Sequence, residues 1–370
     1  MSTIVTILIA PDVLVDLTTA TGIIEGAAEA RGITARVLVA GTAGEVDSVL
    51  AELRPTDELI FLPGTAGDLA DTRAAMPNGS LIRVDFDERA SDRTPGIRAH
   101  IRGRGIDGLR FAVDSWFFHH SHPGQIVRYG DEADQKAELR LPANRQGPFP
   151  VAVLIHGGYW HSRWEFDLMD AMAVDLTERG YATWNIEYRR PDDSSWLEMT
   201  TDVHRAVTLL AELAPQHNLD LARIVALGHS AGGQIVLRLA ADLRSDAASP
   251  VQLALAVSLA GVLDLETADR RWLGEGAVSL ALGARYSELT DVYDASSPLR
   301  RLPIGVPHAV VYGTGDNLDL QDSSRSYLIA ANAGTDEVLA LEGPGNHFAV
   351  IDPDSAIWPD IVKLMQPYSA

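Results

Sequence analysis

Ile224-Val225-Ala226-Leu227 is a strand-like apolar run, and Gly228-His229-Ser230-Ala231-Gly232-Gly233 follows it directly. Gln234-Ile235-Val236-Leu237-Arg238-Leu239-Ala240 then reads as a helix. A serine between small residues, on the turn from strand to helix, has the pattern of a nucleophile elbow. The backbone folds back on itself there, so its neighbours must be small. The helix N-terminus beneath the serine favours negative charge on it. The decisive signal is Gly-x-Ser-x-Gly in this context, more than the motif alone.

A second stretch fits the same chemistry. Val151-Ala152-Val153-Leu154-Ile155 reads as the strongest strand of the chain, and His156-Gly157-Gly158-Tyr159-Trp160 closes it. Glycines at that point let main-chain N–H groups approach a substrate carbonyl, as an oxyanion hole requires. A serine nucleophile also needs a base and an acid that orients it, in the chain order Ser, Asp or Glu, His. Val310-Val311-Tyr312-Gly313-Thr314-Gly315-Asp316 offers Asp316 just past a strand, with Asp319 and Asp322 as rivals. Gly343-Pro344-Gly345-Asn346-His347-Phe348 supplies His347 in a loop after the last strand. His308, ahead of its strand, lies at the wrong end of the sheet.

Composition bounds the rest. The 370 residues suit two domains, and Lys+Arg 30 against Asp+Glu 51 gives a net charge of −21. That balance argues against nucleic acid or an anionic membrane as partner. With Cys 0, disulfides, thiolate nucleophiles and cysteine zinc sites are excluded. The opening Met1-Ser2-Thr3-Ile4-Val5-Thr6-Ile7 reads as the start of a first strand, not a leader, and no apolar run is long enough for a membrane helix. The expectation is a soluble, cytoplasmic protein.

Strand-type and helical runs alternate along the chain, the signature of parallel α/β sheets. Strands are expected at 3–9, 34–39, 58–62 and 81–86, with helices at 17–31, 45–53 and 107–118. These define a small doubly wound, flavodoxin-like domain, 1–118. A second domain, 119–370, carries strands at 125–129, 138–141, 151–155, 182–186, 224–227, 253–258, 309–312 and 337–341. Its further helices are expected at 166–179, 196–213 and 322–331, with a helical lid at 269–291. His119, His120 and His122 read as a surface linker and not as a metal site, because helical i, i+4 spacing and a carboxylate partner pattern are missing. Glu187, Tyr188, Arg189 and Arg190 read as an ion-paired loop framing the site. Trp160, Trp164 and Trp272 are candidates for an aromatic pocket or for core.

From about residue 125 onward the chain resembles the α/β-hydrolase superfamily, in its kynurenine formamidase and carboxylesterase branch. The likeness rests on His156-Gly157-Gly158-Tyr159-Trp160, on Gly180-Tyr181-Ala182-Thr183-Trp184-Asn185-Ile186-Glu187-Tyr188-Arg189-Arg190 and on Gly228-His229-Ser230-Ala231-Gly232-Gly233. Tyr129-Gly130-Asp131-Glu132-Ala133-Asp134-Gln135, Ser296-Ser297-Pro298-Leu299 and Gly345-Asn346-His347-Phe348 add to it. The resemblance implies Ser230 as nucleophile, His347 as general base and Asp316 as its acid. It implies an oxyanion hole from the N–H groups of Gly158, Tyr159 and Ala231, and a substrate pocket at Trp160 and His229. The implied reaction is cleavage of a small ester or aryl-formamide through an acyl-serine, with no cofactor and no metal, in a possible homodimer.

Residues 1–118 faintly resemble a type II dehydroquinase, through Ala10-Pro11-Asp12, Leu62-Pro63-Gly64-Thr65, Arg98-Ala99-His100 and the run from Gly105 to Ala112. The resemblance fails where that enzyme's chemistry lies. Asp12 stands where it implies asparagine, and Val84-Asp85-Phe86-Asp87 lacks the implied histidine and asparagine. This domain is expected to be non-catalytic.

Overall fold

The computed structural model describes residues 3–54, 57–64, 81–87, 97–143 and 145–369. Thr65 of the dehydroquinase-like pattern lies outside them. The chain divides into two compact units, Met1–Pro123 and Gly124–Ala370.

The first unit is built on strands β1 (Ile4–Ile9), β2 (Thr34–Val39), β3 (Leu59–Leu62), β4 (Leu81–Asp85) and β5 (Ala99–Arg102). They form a five-stranded sheet in the order β2-β1-β3-β4-β5, every described pair parallel. That is the doubly wound order of flavodoxin-like folds. Helices α1 (Leu17–Ala30), α2 (Ala43–Glu52) and α3 (Gly108–Ser121) accompany it. Side chains alternate across a strand, and β1 uses both faces. Val5, Ile7 and Ile9 pack with Ile24, Val113 and Trp116 on one side, while Leu8 joins Val46, Leu50 and Phe61 on the other.

One expectation is corrected here. Helix α3 runs on to Ser121, a little past the boundary expected near residue 118. The three histidines are therefore not a surface linker: His119 is buried in that helix with Nδ1 donating to the Ser115 carbonyl at 2.7 Å, His120 stacks on Trp116, and His122 caps the helix end. Strand β5 was not among the expected elements.

The second unit carries eight strands: β6 (Gln125–Arg128), β7 (Lys136–Arg140), β8 (Phe149–Ile155), β9 (Ala182–Ile186), β10 (Leu219–His229), β11 (Leu255–Leu259), β12 (His308–Gly313) and β13 (Val338–Gly343). Their order is β13-β12-β11-β10-β8-β9-β7-β6. The first six positions run parallel, and β7 and β6 are antiparallel at one edge. Both faces are covered, so the central strands are apolar throughout. Val151, Val153, Ile155 and Ala226 enter one core; Ala152, Leu154, Val225 and Leu227 enter the other.

The helices of this unit are α4 (Asp170–Arg179), α5 (Trp196–Thr208), α6 (Leu210–His217), α7 (Ala231–Ser245), α8 (Leu265–Arg270), α9 (Ala277–Leu282), α10 (Thr290–Ser296), α11 (Leu318–Asn332) and α12 (Trp358–Met365). The helix expected over 196–213 is broken at Leu209 into α5 and α6. Thr208 bonds back onto the carbonyls of His204 and Arg205, both at 3.1 Å, a side-chain contact that bends helices. Among the described residues no helix is long and apolar enough to cross a membrane.

Candidate active site

Ser230 sits at the junction of β10 and α7 with φ 54 and ψ −116. Positive φ in a residue with a side chain is a strained state that persists only where the surroundings enforce it. Here they do. The Ser230 amide donates to the Leu259 carbonyl on the neighbouring strand β11 at 2.8 Å. A Cβ at Gly228 would come within 2.0 Å of the Gly232 carbonyl oxygen, and one at Gly232 within 2.2 Å of the Ile155 carbonyl oxygen. Side chains at these two positions would push the elbow off the strand next to it.

That adjacent strand is β8, which delivers the glycine turn to the serine. A Cβ at Gly157 would lie 2.8 Å from Ser230 Cβ and 2.7 Å from the His229 carbonyl oxygen, so only glycine fits between them. The next three residues, Gly158, Tyr159 and Trp160, all have positive φ, at 115, 53 and 60. Gly158 is also hemmed in by the Trp164 side chain, which a Cβ would meet at 2.4 Å. The turn closes where the His161 amide donates to the Gly158 carbonyl at 3.0 Å.

Behind the turn lies the buried loop from Glu187 to Arg190. His156 Nε2 faces Glu187 Oε1 at 3.2 Å, and the His156 ring stacks on Tyr188 at 4.4 Å. Tyr188 Oη donates to the His156 carbonyl at 2.8 Å. Glu187 also accepts the amides of Phe166 and Tyr188, both at 2.9 Å, and pairs with Arg190. Burial alone would raise the Glu187 pKa; the Arg190 charge, followed by His156, outweighs burial and holds the carboxyl well below its ordinary range. The expected ion-paired loop is present: Glu187, Tyr188 and Arg190 are buried, while Arg189 is partly exposed and pairs with Asp202 and Glu198.

Asp316 and His347 lie on the loops after β12 and β13. His347 Nδ1 lies 3.0 Å from Asp316 Oδ2. A carboxylate only accepts, so the proton is on Nδ1 and Nε2 is left bare to take one. Asp316 Oδ1 accepts the Asn317 amide at 2.6 Å. The two loops are locked together: the Gly315 amide donates to the Gly345 carbonyl at 2.8 Å, and a Cβ at Gly313 would lie 2.3 Å from that same oxygen. The rivals are engaged elsewhere. Asp319 and Asp322 both pair with Arg271, at 3.0 and 2.7 Å. His308 is buried at the start of β12, bonded to the Val306 carbonyl and Tyr327.

Two residues assigned to a substrate pocket stand differently. Trp160 is 2% exposed, packs edge-on to Trp196 and donates from Nε1 to Gln234 at 3.2 Å. It is a core residue. His229 is 1% exposed and lies beneath His347, their ring centroids 4.7 Å apart. Sequence reasoning had no tertiary partner by which to see either burial. Trp272, by contrast, is exposed. The segment 269–291, expected as a helical lid, holds the end of α8 and all of α9, and its Leu273 and Val278 enter the main core. The turn between the two helices touches Tyr159: a Cβ at Gly274 would lie 2.6 Å from its ring. Burial, followed by the charges of Asp316 and Asp319, pushes the Tyr159 phenol up and keeps it neutral. Phe348, which sequence reasoning did not single out, is partly exposed with its ring edge-on to His347 at 5.6 Å.

A strained serine, a glycine turn held against it, and a histidine with one nitrogen fixed by a carboxylate are the kinds of part from which sites that activate a hydroxyl toward a carbonyl are built. The fold carrying it is the α/β-hydrolase fold. Residues 137–327 match the BD-FAE family, and the chain belongs to that family. The chain is 29% identical over 133 residues to an isoprenylcysteine alpha-carbonyl methylesterase of Arabidopsis thaliana, covering 35% of this chain and 30% of that protein. It is 26% identical over 141 residues to a kynurenine formamidase of Danio rerio, covering 38% and 46%. The chain thus spans less than half the length of these relatives. Esterase B of Lactobacillus rhamnosis superposes with a TM-score of 0.57 at 18% identity, over 66% of this chain and 84% of that one.

Proposed function

We propose that the Gly124–Ala370 unit is a serine hydrolase that cleaves a small carboxylic ester or an aryl-formamide. The observation that carries this is Ser230, held at φ 54 at the mouth of α7 in a unit where Asp316 fixes His347 through Nδ1. Ser230 Oγ attacks the substrate carbonyl, and His347 Nε2 takes the hydroxyl proton. The N–H groups of Gly158, Tyr159 and Ala231 hold the oxyanion. Collapse of the tetrahedral intermediate expels the alcohol or arylamine, which takes that proton from His347, and leaves an acyl- or formyl-serine. Water then attacks, giving its proton to His347, and the acid is released as Ser230 recovers the proton.

Ester and formamide need the same machinery, and relatives of both kinds support keeping the two together. The first unit we take to be non-catalytic: Asp12 and Val84-Asp85-Phe86-Asp87 depart from the dehydroquinase-like pattern at its chemical positions. The absence of cysteine and the net charge of −21 support a cytoplasmic location with a small molecule as partner, neither nucleic acid nor membrane.

The test is a fluorophosphonate label followed by peptide mapping, beside assays of p-nitrophenyl acetate and N-formylkynurenine. An adduct at Ser230 with turnover of either substrate is expected. No adduct and no turnover would leave a hydrolase-fold binding module instead.

A further inference from the structure

We infer that His229 is a positioning residue that holds the general base against the nucleophile from below, through its own hydrogen bond to the main chain of His347. This rests on the reading of His347 as base. His229 directly precedes Ser230 on the elbow, so its position is set by the same strand that sets the serine. Its Nε2 lies 3.0 Å from the His347 carbonyl oxygen. That oxygen can only accept, so the ring proton is on Nε2 and Nδ1 is bare. The bare nitrogen is buried without a hydrogen-bond partner and lies against Gly157, where a Cβ would meet it at 3.0 Å. One imidazole therefore touches the glycine turn, the nucleophile's own backbone and the base's backbone.

Geometry makes the contact consequential. Ser230 and His347 come from loops at β10 and β13, with β11 and β12 between them in the sheet. The bond from His229 to His347 crosses that distance directly. The His229 ring is also the floor on which the His347 ring and Phe348 rest, with centroids at 4.7 and 5.7 Å. A charge in that floor would oppose the imidazolium that His347 becomes in each half-reaction. Burial, then the neighbouring His347 and His156, push His229 far toward the neutral form, while its bond to the His347 carbonyl acts the other way. An uncharged donor that fills the space is what the site requires there.

Two substitutions test this. His229→Leu keeps volume and removes the donor; His229→Gln restores an N–H donor. With p-nitrophenyl acetate, His229→Leu should lose kcat by about 10²-fold, the scale of a misplacement near 1 Å, while KM changes little. His229→Gln should recover most of that loss. A third measurement needs no variant: nitrogen NMR of the wild-type chain should find His229 neutral, protonated on Nε2, across about pH 5 to 8. Unchanged kcat in His229→Leu, equal losses in both variants, or a His229 proton on Nδ1 would each overturn the inference. A wild-type chain that neither labels at Ser230 nor turns over would overturn the hydrolase reading and this one with it, whereas an active wild type with indifferent His229 variants sinks this one alone.

Discussion

Asp316 uses both carboxylate oxygens, one for His347 Nδ1 at 3.0 Å and one for the Asn317 amide at 2.6 Å. Its side chain is fully buried, while that of Asp319 is 43% exposed and paired with Arg271. Asp316→Asn keeps the shape but offers His347 an amide that can present the wrong partner and leave the wrong tautomer. A loss of about 10⁴ in kcat is expected, on the precedent of the same change in a serine protease triad. Asp319→Asn should stay within about threefold of wild type, since an exposed ion pair is worth about 0–1 kcal/mol. Equal losses in steady-state kcat would move the acid to Asp319.

Ser230→Ala removes the proposed nucleophile and relieves nothing else, because alanine occupies the same strained φ with the same Cβ. Turnover of p-nitrophenyl acetate should fall by about 10⁶, the scale seen when a catalytic serine is removed. Thermal unfolding should shift by only a few degrees. Activity above a hundredth of wild type would point to another nucleophile.

Gly158→Ala asks a side chain to occupy φ 115 and to overlap Trp164 at 2.4 Å. The turn must shift, and with it the N–H groups proposed to hold the oxyanion. Loss of one such donor costs about 10²–10³ in kcat. A Gly158→Ala enzyme with wild-type kcat would place the oxyanion hole elsewhere.

The elbow and the turn after β8 were legible because their chemistry demands small residues at fixed places. Position after strands pointed to His347 and Asp316, whose contact is present at 3.0 Å, whereas the contact of Asp319 and Asp322 with Arg271 had no sequence signal. The central strands were legible because parallel strands covered on both faces read as unbroken apolar runs. Strand β5 was not: Ala99-His100-Ile101-Arg102 is half polar, and its burial depends on partners such as Asp85, which lies 2.6 Å from His100 Nε2. Helix α12 did carry a readable signal, with Trp358, Ile361, Val362 and Met365 buried at helical spacing. The burial of Trp160 and His229 was not legible, because a residue beside a site in sequence can lie beneath it.

Glu187 gives the chain an acid-sensitive anchor behind the glycine turn after β8. Its carboxyl is held well below the ordinary value, chiefly by the Arg190 charge against the cost of burial. A depressed pKa contributes stability that is full above the unfolded value, about 4.3, and is lost as pH falls toward the folded one. Asp192 acts alongside it: burial alone would raise it, but the His161 ring 3.7 Å away and the Ser162 amide, which donates at 2.8 Å, bring it to about 2. Stability should therefore fall with pH below about 4.3. Glu187→Gln should destabilise the chain at neutral pH by at most about 3–5 kcal/mol, because the buried Arg190 keeps Asp134, 3.3 Å away, as a carboxylate partner, and should flatten the acid limb. Urea midpoints measured from neutral pH downward check this, and a Glu187→Gln profile parallel to wild type would remove Glu187 from that role.

Phe348 follows His347 in sequence and is 42% exposed, with the two rings edge-on at 5.6 Å. The Phe348 ring is a ready contact for the aromatic portion of an aryl ester or aryl-formamide. Aromatic pairs contribute about 0.5–1.5 kcal/mol beyond area burial, or roughly 2- to 12-fold in affinity. Phe348→Ala should therefore raise KM for p-nitrophenyl acetate by roughly that factor. The kcat should hold, because the Asp316 contact that fixes His347 does not involve the Phe348 ring. The discriminating measurement is the same variant with ethyl acetate, which has no ring to lose contact. Equal KM increases for both esters would mean that Phe348 supports the His347 loop, and a fall in kcat without a KM change would mean the same; a rise confined to the aryl ester places the aromatic portion of the substrate against Phe348.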